Sequence, residues 1–315
     1  GHPLWDWGVF PDDDNLMPDM KCAKWAVEQL KKKHDKPFFM GVGFYRPHVP
    51  MYASQKWFDM HPKEKIKLPL VRKNDRNDLS QYAIDLTNLK HVSPTHKWVS
   101  EAGQWEHAVQ SYLASVTFAD HCLGLVLDAL ESSDYGHNTI IALFSDHGFH
   151  LGEKQRWAKR SLWEDGTRVP IIVSAPGHKA GQKTNRPAEL LDVFPTLLEL
   201  AGLPKDETQE GQSLVPLMKN PKKEWAHPAI TSFGLGNYSV RSTRYRFIQY
   251  FDGSRELYDL SQDPHEWKNL VADPKNKSII EEHVAHLPKK QHPILPGGST
   301  GHNAYGAANA NIKKD

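Results

Sequence analysis

The stretch Thr139-Ile140-Ile141-Ala142-Leu143-Phe144 constrains the fold most, because it is apolar at alternate and intervening positions and stops abruptly at Ser145-Asp146-His147-Gly148. A strand with apolar residues on both faces needs cover on both sides, which points to a sheet sandwiched between helices. In open α/β sheets, ligands sit just beyond the carboxyl ends of the strands. Asp146 and His147 therefore stand where an active site is expected. A carboxylate oxygen beside an imidazole nitrogen supplies part of a divalent-metal site, the carboxylate being the stronger donor for a hard cation. The same Asp-His pair, taken alone, also serves to cap a turn.

Two further segments share this form. Phe38-Phe39-Met40-Gly41-Val42-Gly43-Phe44 reads as a second buried strand that runs into Tyr45-Arg46-Pro47-His48-Val49-Pro50, and Val169–Ser174 reads as a third. Helices fill the intervals. Asp19 is placed to cap a helix with Ala23, Ala26, Val27 and Leu30 on one face, and Lys31-Lys32-Lys33 suits its carboxyl end. The strongest helical pattern runs from Trp105 to Leu130, and another around Leu190–Ala201 stops at Gly202 with Pro204 following. Residues 60–100 are polar and weakly patterned, which suggests a long surface excursion.

Beyond residue 220 the texture changes. Short segments at Ala229–Phe233, Tyr238–Ser242, Tyr245–Tyr250 and Glu256–Leu260, broken by turns such as Asp252-Gly253, argue a small antiparallel sheet with a helix at Ser278–His286. The division expected is an α/β domain over 1–220, an antiparallel-sheet subdomain over 221–290 and an extended tail over 291–315.

Composition narrows the partners. With 39% hydrophobic and 24% charged residues the chain is globular in type, and a net charge of +1 gives no global pull toward nucleic acid or an anionic membrane. No uninterrupted apolar run approaches the roughly 20 residues that span a bilayer, and no signal peptide opens the chain. Cys22 and Cys122 lack metal-ligand spacing and fall in helical patterns, where buried thiols are expected.

Two polar clusters could carry chemistry. In Arg46-Pro47-His48 the flanking prolines restrict the backbone, so a cation and an imidazole are presented rigidly, either as an anion contact or as a plain strand end. In Phe149–Lys159 several basic side chains follow the candidate metal ligands closely. That arrangement suits a polyanionic group whose charge must be neutralised as a bond breaks, and it equally describes a solvated basic loop.

Taken in order, Ser145-Asp146-His147-Gly148, Leu151-Gly152-Glu153, Trp157-Ala158-Lys159 and Thr167-Arg168-Val169-Pro170 resemble the second half of a type I sulfatase. Lys36-Pro37-Phe38-Phe39, Arg46-Pro47-His48-Val49-Pro50 and Asp192-Val193-Phe194-Pro195-Thr196-Leu197 extend the likeness over most of residues 19–286, closest in flavour to iduronate-2-sulfatase-like and polysaccharide sulfatases. The resemblance implies an alkaline-phosphatase-like α/β sandwich with a mostly parallel central sheet and a small antiparallel C-terminal subdomain. It implies sulfate-ester hydrolysis on a sulfated saccharide, bound Ca2+ and a formylglycine nucleophile whose hydrated aldehyde attacks sulfur. By motif position it implies Asp146 and His147 as metal ligands and Lys159 and His48 as catalytic contacts to sulfate and leaving oxygen. Arg46 and His150 follow as weaker substrate contacts. A secreted, periplasmic or lysosomal setting also follows from the family.

One departure stands out. Cys22 is followed by Ala23-Lys24-Trp25-Ala26 and Cys122 by Leu123-Gly124-Leu125-Val126, neither of which matches the Cys/Ser-x-Pro/Ala-x-Arg motif from which formylglycine is made. Asp12-Asp13-Asp14 follows Pro11 without a strand pattern and reads as a loop before the first helix. The expectation is a C-terminal portion whose nucleophile lies upstream, completed by a complementary N-terminal chain and inactive alone. A related phosphoester or phosphonate hydrolase, and a noncatalytic anion-binding fragment, are the alternative readings.

Overall fold

The computed structural model describes residues 5–88 and 93–290. The expected tail over 291–315 lies outside the described residues. In chain order the helices are α1 (Pro18–Leu30), α2 (Gln55–Asp59), α3 (Gln81–Thr87), α4 (His96–Glu101), α5 (Trp105–Glu131), α6 (Glu164–Thr167), α7 (Val193–Leu200), α8 (Val215–Lys219) and α9 (Lys277–Val284). The strands are β1 (Trp7–Val9), β2 (Met51–Ala53), β3 (Ile141–Phe144), β4 (His150–Leu151), β5 (Trp157–Ala158), β6 (Ile171–Ser174), β7 (Ala229–Ser232), β8 (Tyr238–Arg241), β9 (Tyr245–Gln249) and β10 (Arg255–Asp259). They divide between two compact units, Gly1–Leu70 with Lys90–Thr139, and Val71–Leu89 with Ile140–Asp315.

The first unit is built around α5. Its buried face is Ala108, Ser111, Ala114, Ser115, Phe118 and Cys122, a stripe at helical spacing made largely of small residues. Small side chains let α1 and β2 approach closely, and Ser111 offsets the burial of its hydroxyl by donating to the His107 carbonyl at 2.8 Å. Val116 and Leu127, larger apolar residues of the same helix, are exposed. By length and composition α5 is long and apolar enough to cross a bilayer, although polar residues interrupt it. In this unit it is the core helix, with Met20, Ala23, Trp57 and Phe58 packed on Phe118 and Cys122. Cys122 is buried as expected, whereas Cys22 on α1 is exposed, and both thiols are free.

Strands β1 and β2 pair in parallel, Trp7 opposite Met51. The segment Phe38–Phe44, expected as a buried strand, joins no ladder, and Phe39 is 86% exposed. Phe44 at its end packs against the core. The apolar pattern is there, but no strand lies beside it among the described residues. Asp14, in a 3-10 turn ahead of α1, is buried and ties this region together. It accepts from Ser54 Oγ at 2.6 Å and Trp57 Nε1 at 3.1 Å, and pairs with Lys56 Nζ at 2.7 Å.

In the second unit, β3 and β6 pair antiparallel, Ile141 opposite Ser174 and Phe144 opposite Ile171. The parallel component expected of the central sheet is therefore represented only by β1–β2 among the described residues, because β6 returns against β3 after the excursion between them. Although both strands are apolar, neither contains a fully buried residue; Phe144 is 49% and Ile172 59% exposed. The C-terminal sheet follows the expected pattern closely, with strand order β10-β9-β8-β7, all antiparallel. Val240, Phe247 and Leu257 form its core, against which Ile279, Ile280 and Val284 of α9 pack. The described residues of the expected excursion over 60–100 carry α3 and α4.

The Asp14 cluster yields a test. Burial alone would push its carboxyl up, yet hydrogen bonds from Lys56, Ser54 and Trp57 outweigh that and hold it below the ordinary 3.8. The stability it contributes is thus present above that value and lost as pH falls through the lowered one. Asp14→Ala is expected to cost about 1–3 kcal/mol at neutral pH, measured by denaturant unfolding. The difference from wild type should shrink below about pH 3.8.

Candidate active site

The segment from Ser145 to Thr167 leaves β3, forms the β4–β5 pair and ends in α6. Two glycines shape it. A Cβ on Gly148 would collide with the carbonyl of Asp165, and Gly148 N–H donates to the Gly166 carbonyl at 3.1 Å. A Cβ on Gly166 would collide with Ser161 Oγ. These close approaches fold the segment back on itself.

Asp146 and His147 emerge at the end of β3. The Asp146 carboxylate is 82% exposed, and its Oδ2 lies 3.6 Å from His147 Nε2. His147 Nδ1 lies 2.9 Å from the Gly148 carbonyl, which makes Nδ1 the protonated nitrogen and Nε2 the acceptor. Burial holds this imidazole below its ordinary range, with Lys159 adding to the effect against Asp146 and the Gly148 carbonyl. Lys159 is the third member. Burial lowers its ammonium and Arg160 assists, while Asp146 opposes. Lys159 follows Ala158, whose φ of +74° is left-handed, a conformation that costs of order 1–3 kcal/mol for a residue with a side chain. Asp146, His147 and Lys159 thus lie near enough to act on one another electrostatically, and Lys159 directly follows the left-handed residue that ends β5.

The donors fit part of a hard-cation shell. The carboxylate suits calcium, and the neutral imidazole is oriented as a ligand would be, with its second nitrogen bonded to a carbonyl. Calcium takes about six to eight oxygen ligands, so the Asp146 carboxylate supplies at most two of them and the imidazole nitrogen is the less usual donor.

His150 does not join that group as a surface contact. It is wholly buried, its Nε2 2.7 Å from Ser161 Oγ. The neighbouring basic residues also depart from the expected anion-binding loop. Lys154 is buried and paired with Asp75 Oδ1 at 2.9 Å while donating to the Glu266 carbonyl, and Arg156 donates to the Thr87 carbonyl. These cations are structural fastenings; a basic run that is buried looks the same in sequence as one that is solvated.

Arg46 and His48 belong to the first unit. Their loop is fixed by Asp19, which is 1% exposed. Asp19 Oδ1 accepts from the Tyr45 and Arg46 amides at 2.6 and 2.9 Å. It does not cap α1 as expected; Met17 occupies the cap position and Pro18 opens the helix. Arg46 is buried and donates through Nε to the Tyr52 carbonyl at 2.9 Å. Burial lowers its guanidinium, opposed mainly by Asp19, and the group stays charged. His48 Nδ1 lies 2.8 Å from the Val49 carbonyl, and the Tyr45 hydroxyl donates to the same oxygen. The Arg46-Pro47 and Val49-Pro50 bonds are both cis.

The architecture is an alkaline-phosphatase-like α/β sandwich with a small antiparallel C-terminal subdomain. A solved phosphonate monoester hydrolase of Agrobacterium radiobacter superposes with a TM-score of 0.74 at 21% identity, over 89% of this chain and 62% of that one, a likeness of fold. Within that class the particular family is clear: a sulfatase family model matches residues 8–203, and the chain belongs to the sulfatase family. A model described as N-sulphoglucosamine sulphohydrolase, C-terminal, matches residues 152–292. A sulfatase from Formosa agariphila is 44% identical over 284 residues, covering 90% of this chain. A Delta 4,5-hexuronate-2-O-sulfatase from Bacteroides thetaiotaomicron is 29% identical over 298 residues, covering 88%. This chain spans 56% and 62% of the length of those two relatives.

Asp19 was missed as a site-building residue because a carboxylate opening a helix looks like a cap. Removing its side chain by Asp19→Ala strips the buried Arg46 amide and the half-buried Tyr45 amide of their acceptor, a loss of about 1–3 kcal/mol to the loop. Hydrogen exchange of the Tyr45 and Arg46 amides is expected to accelerate in Asp19→Ala and far less in Asp19→Asn, which keeps an acceptor oxygen.

Proposed function

We propose that this chain forms part of a calcium-dependent sulfatase that hydrolyses sulfate esters on a saccharide. The observation carrying this reading is the convergence of Asp146, His147 and Lys159 at the end of β3, inside the segment matched by the sulfatase family. The relative named for a hexuronate 2-O-sulfate supports a sulfated sugar as the substrate class. Family resemblance favours a secreted, periplasmic or lysosomal setting.

Each residue has a chemical task in this scheme. Asp146 and His147 hold the cation, which when bound would neutralise charge on the ester oxygens. Lys159, with its ammonium in a partly desolvated setting, binds a sulfate oxygen more strongly than a solvated lysine would. Arg46, charged and fixed by Asp19 and Tyr52, is proposed as an anion contact on its own loop. His48, with Nδ1 committed to Val49, has Nε2 as the atom that would pass a proton to a departing alcohol. His150 is withdrawn from this set by its burial.

Neither Cys22 nor Cys122 suits the nucleophile's role. Each lies within a helix and neither is followed by the residues that formylglycine formation requires. The nucleophile is therefore proposed to lie outside this chain, on a complementary N-terminal polypeptide. The exposed apolar residues of β3 and β6 support such a partner, since a two-stranded ladder of this composition is marginal when uncovered.

Lys159→Ala in the complete protein is expected to lower kcat/KM for sulfate release from a sulfated saccharide by roughly 10²–10³. Asp146→Asn should lower it and shift its calcium dependence to higher concentration. Unchanged turnover in Lys159→Ala, or hydrolysis of a phosphonate ester with none of a sulfate ester, would overturn the reading. The 315-residue chain alone is expected to release no sulfate, and efficient turnover by it would contradict an external nucleophile.

A further inference from the structure

A second group of ligand-type side chains lies in the same segment and is not used above. His150 of β4 is 0% exposed, and its Nδ1 is sealed from solvent with no hydrogen-bond partner. That nitrogen lies 4.0 Å from Asp165 Oδ2. Glu153 completes a triangle in which one ligand atom from each residue lies within 4.8 Å of the others.

The cations near this group are committed elsewhere, apart from His265, whose charge when protonated favours the Asp165 carboxylate. Lys154 is committed to Asp75 and the Glu266 carbonyl, and Arg156 to the Thr87 carbonyl. Arg246 is held by Glu164 and by Glu266 Oε1, the latter at 2.7 Å. Burial pushes the Glu153 carboxyl up to about 7, with Asp165 adding to the effect. Burial also pushes the Asp165 carboxyl up and the His150 imidazole well down. A neutral base and two crowded acids facing one another is the electrostatic state that a divalent ion relieves.

We propose that His150, Glu153 and Asp165 form a divalent-cation site of the zinc class, separate from Asp146 and His147, that clasps the segment carrying Lys159. One imidazole nitrogen and two carboxylate oxygens are a common zinc donor set, with the fourth position open to water. Metal–ligand bonds of about 2.0–2.2 Å place tetrahedral donors about 3.4 Å apart, so these atoms must close up by as much as about 1.4 Å from a spacing of up to 4.8 Å. Asp165 can supply that movement, because its side chain is half exposed and makes no hydrogen bond among the described residues. His150 needs none: Ser161 on one side and Gly166, where a Cβ would crowd the ring, already hold it. The ligands come from β4, the turn after it and α6, so the ion would fasten the start of the segment to its end. The site takes no part in sulfate chemistry and does not depend on that reading.

The test is zinc binding to the protein by isothermal titration in saturating calcium, together with thermal unfolding. One equivalent of zinc is expected to bind and to raise the unfolding temperature by several degrees. Binding should persist in Asp146→Asn and weaken at least roughly ten-fold in both Asp165→Asn and Glu153→Gln. The unfolding temperature of metal-free Asp165→Asn should match wild type, which separates loss of a ligand from loss of fold. No zinc binding in calcium, zinc binding lost in Asp146→Asn, or zinc binding unchanged in Asp165→Asn would each overturn the proposal.

Discussion

The ammonium of Lys154 is the contact on which the second unit's candidate site depends most. Burying a lone cation is costly, and this one is offset by a carboxylate at 2.9 Å and a main-chain carbonyl. Those partners, Asp75 and Glu266, lie far apart in sequence, so a single side chain binds the segment after β3 to an earlier helix-bearing stretch and to the C-terminal region. Arg156 adds a second fastening, to Thr87 at the end of α3. With both in place, the turn through Lys154, Gln155 and Ala158 can adopt left-handed backbone angles that free chains avoid. Lys159 follows directly from that turn. Lys159, the cation proposed to contact sulfate, is thus positioned by neighbouring cations already committed to protein groups.

A buried acid does similar work in the C-terminal sheet. Glu256 accepts from Trp163 Nε1, Tyr250 and Tyr258, each at 2.8 Å, so a fully buried carboxyl has every neighbour donating to it. Trp163 immediately precedes α6, and the network therefore joins the sheet to the end of the site-bearing segment. Breaking such a network costs more than any single bond in it, because the remaining groups stay buried without partners. The C-terminal subdomain thereby braces the site-bearing segment.

Much of this was legible in the residues. The alternation and turn signals of β7–β10, the stop signals after α7 and the apolar run ending in Asp146-His147 each reflect local chemistry that sequence displays directly. What stayed hidden depended on contacts distant in the chain. Asp19 resembles a helix cap and instead holds amides some 26 positions on. Lys154 and Arg156 resemble a solvated basic loop and are buried. Phe38–Phe44 carries a strand's composition but finds no ladder, because pairing is a property of two segments. The buried stripe of α5 favours alanine and serine over the larger apolar residues beside them, since close helix packing rewards small side chains. Periodicity finds a helix readily but not which of two adjacent faces turns inward.

Asp146, His147 and Lys159 are proposed to serve a sulfatase whose nucleophile is a formylglycine outside this chain. Peptide mass spectrometry of the native protein, with every copurifying polypeptide included, tests that claim most directly. The account predicts a formylglycine-containing peptide from a segment not contained in these 315 residues. A native preparation that releases sulfate from its substrate yet contains no formylglycine would contradict it.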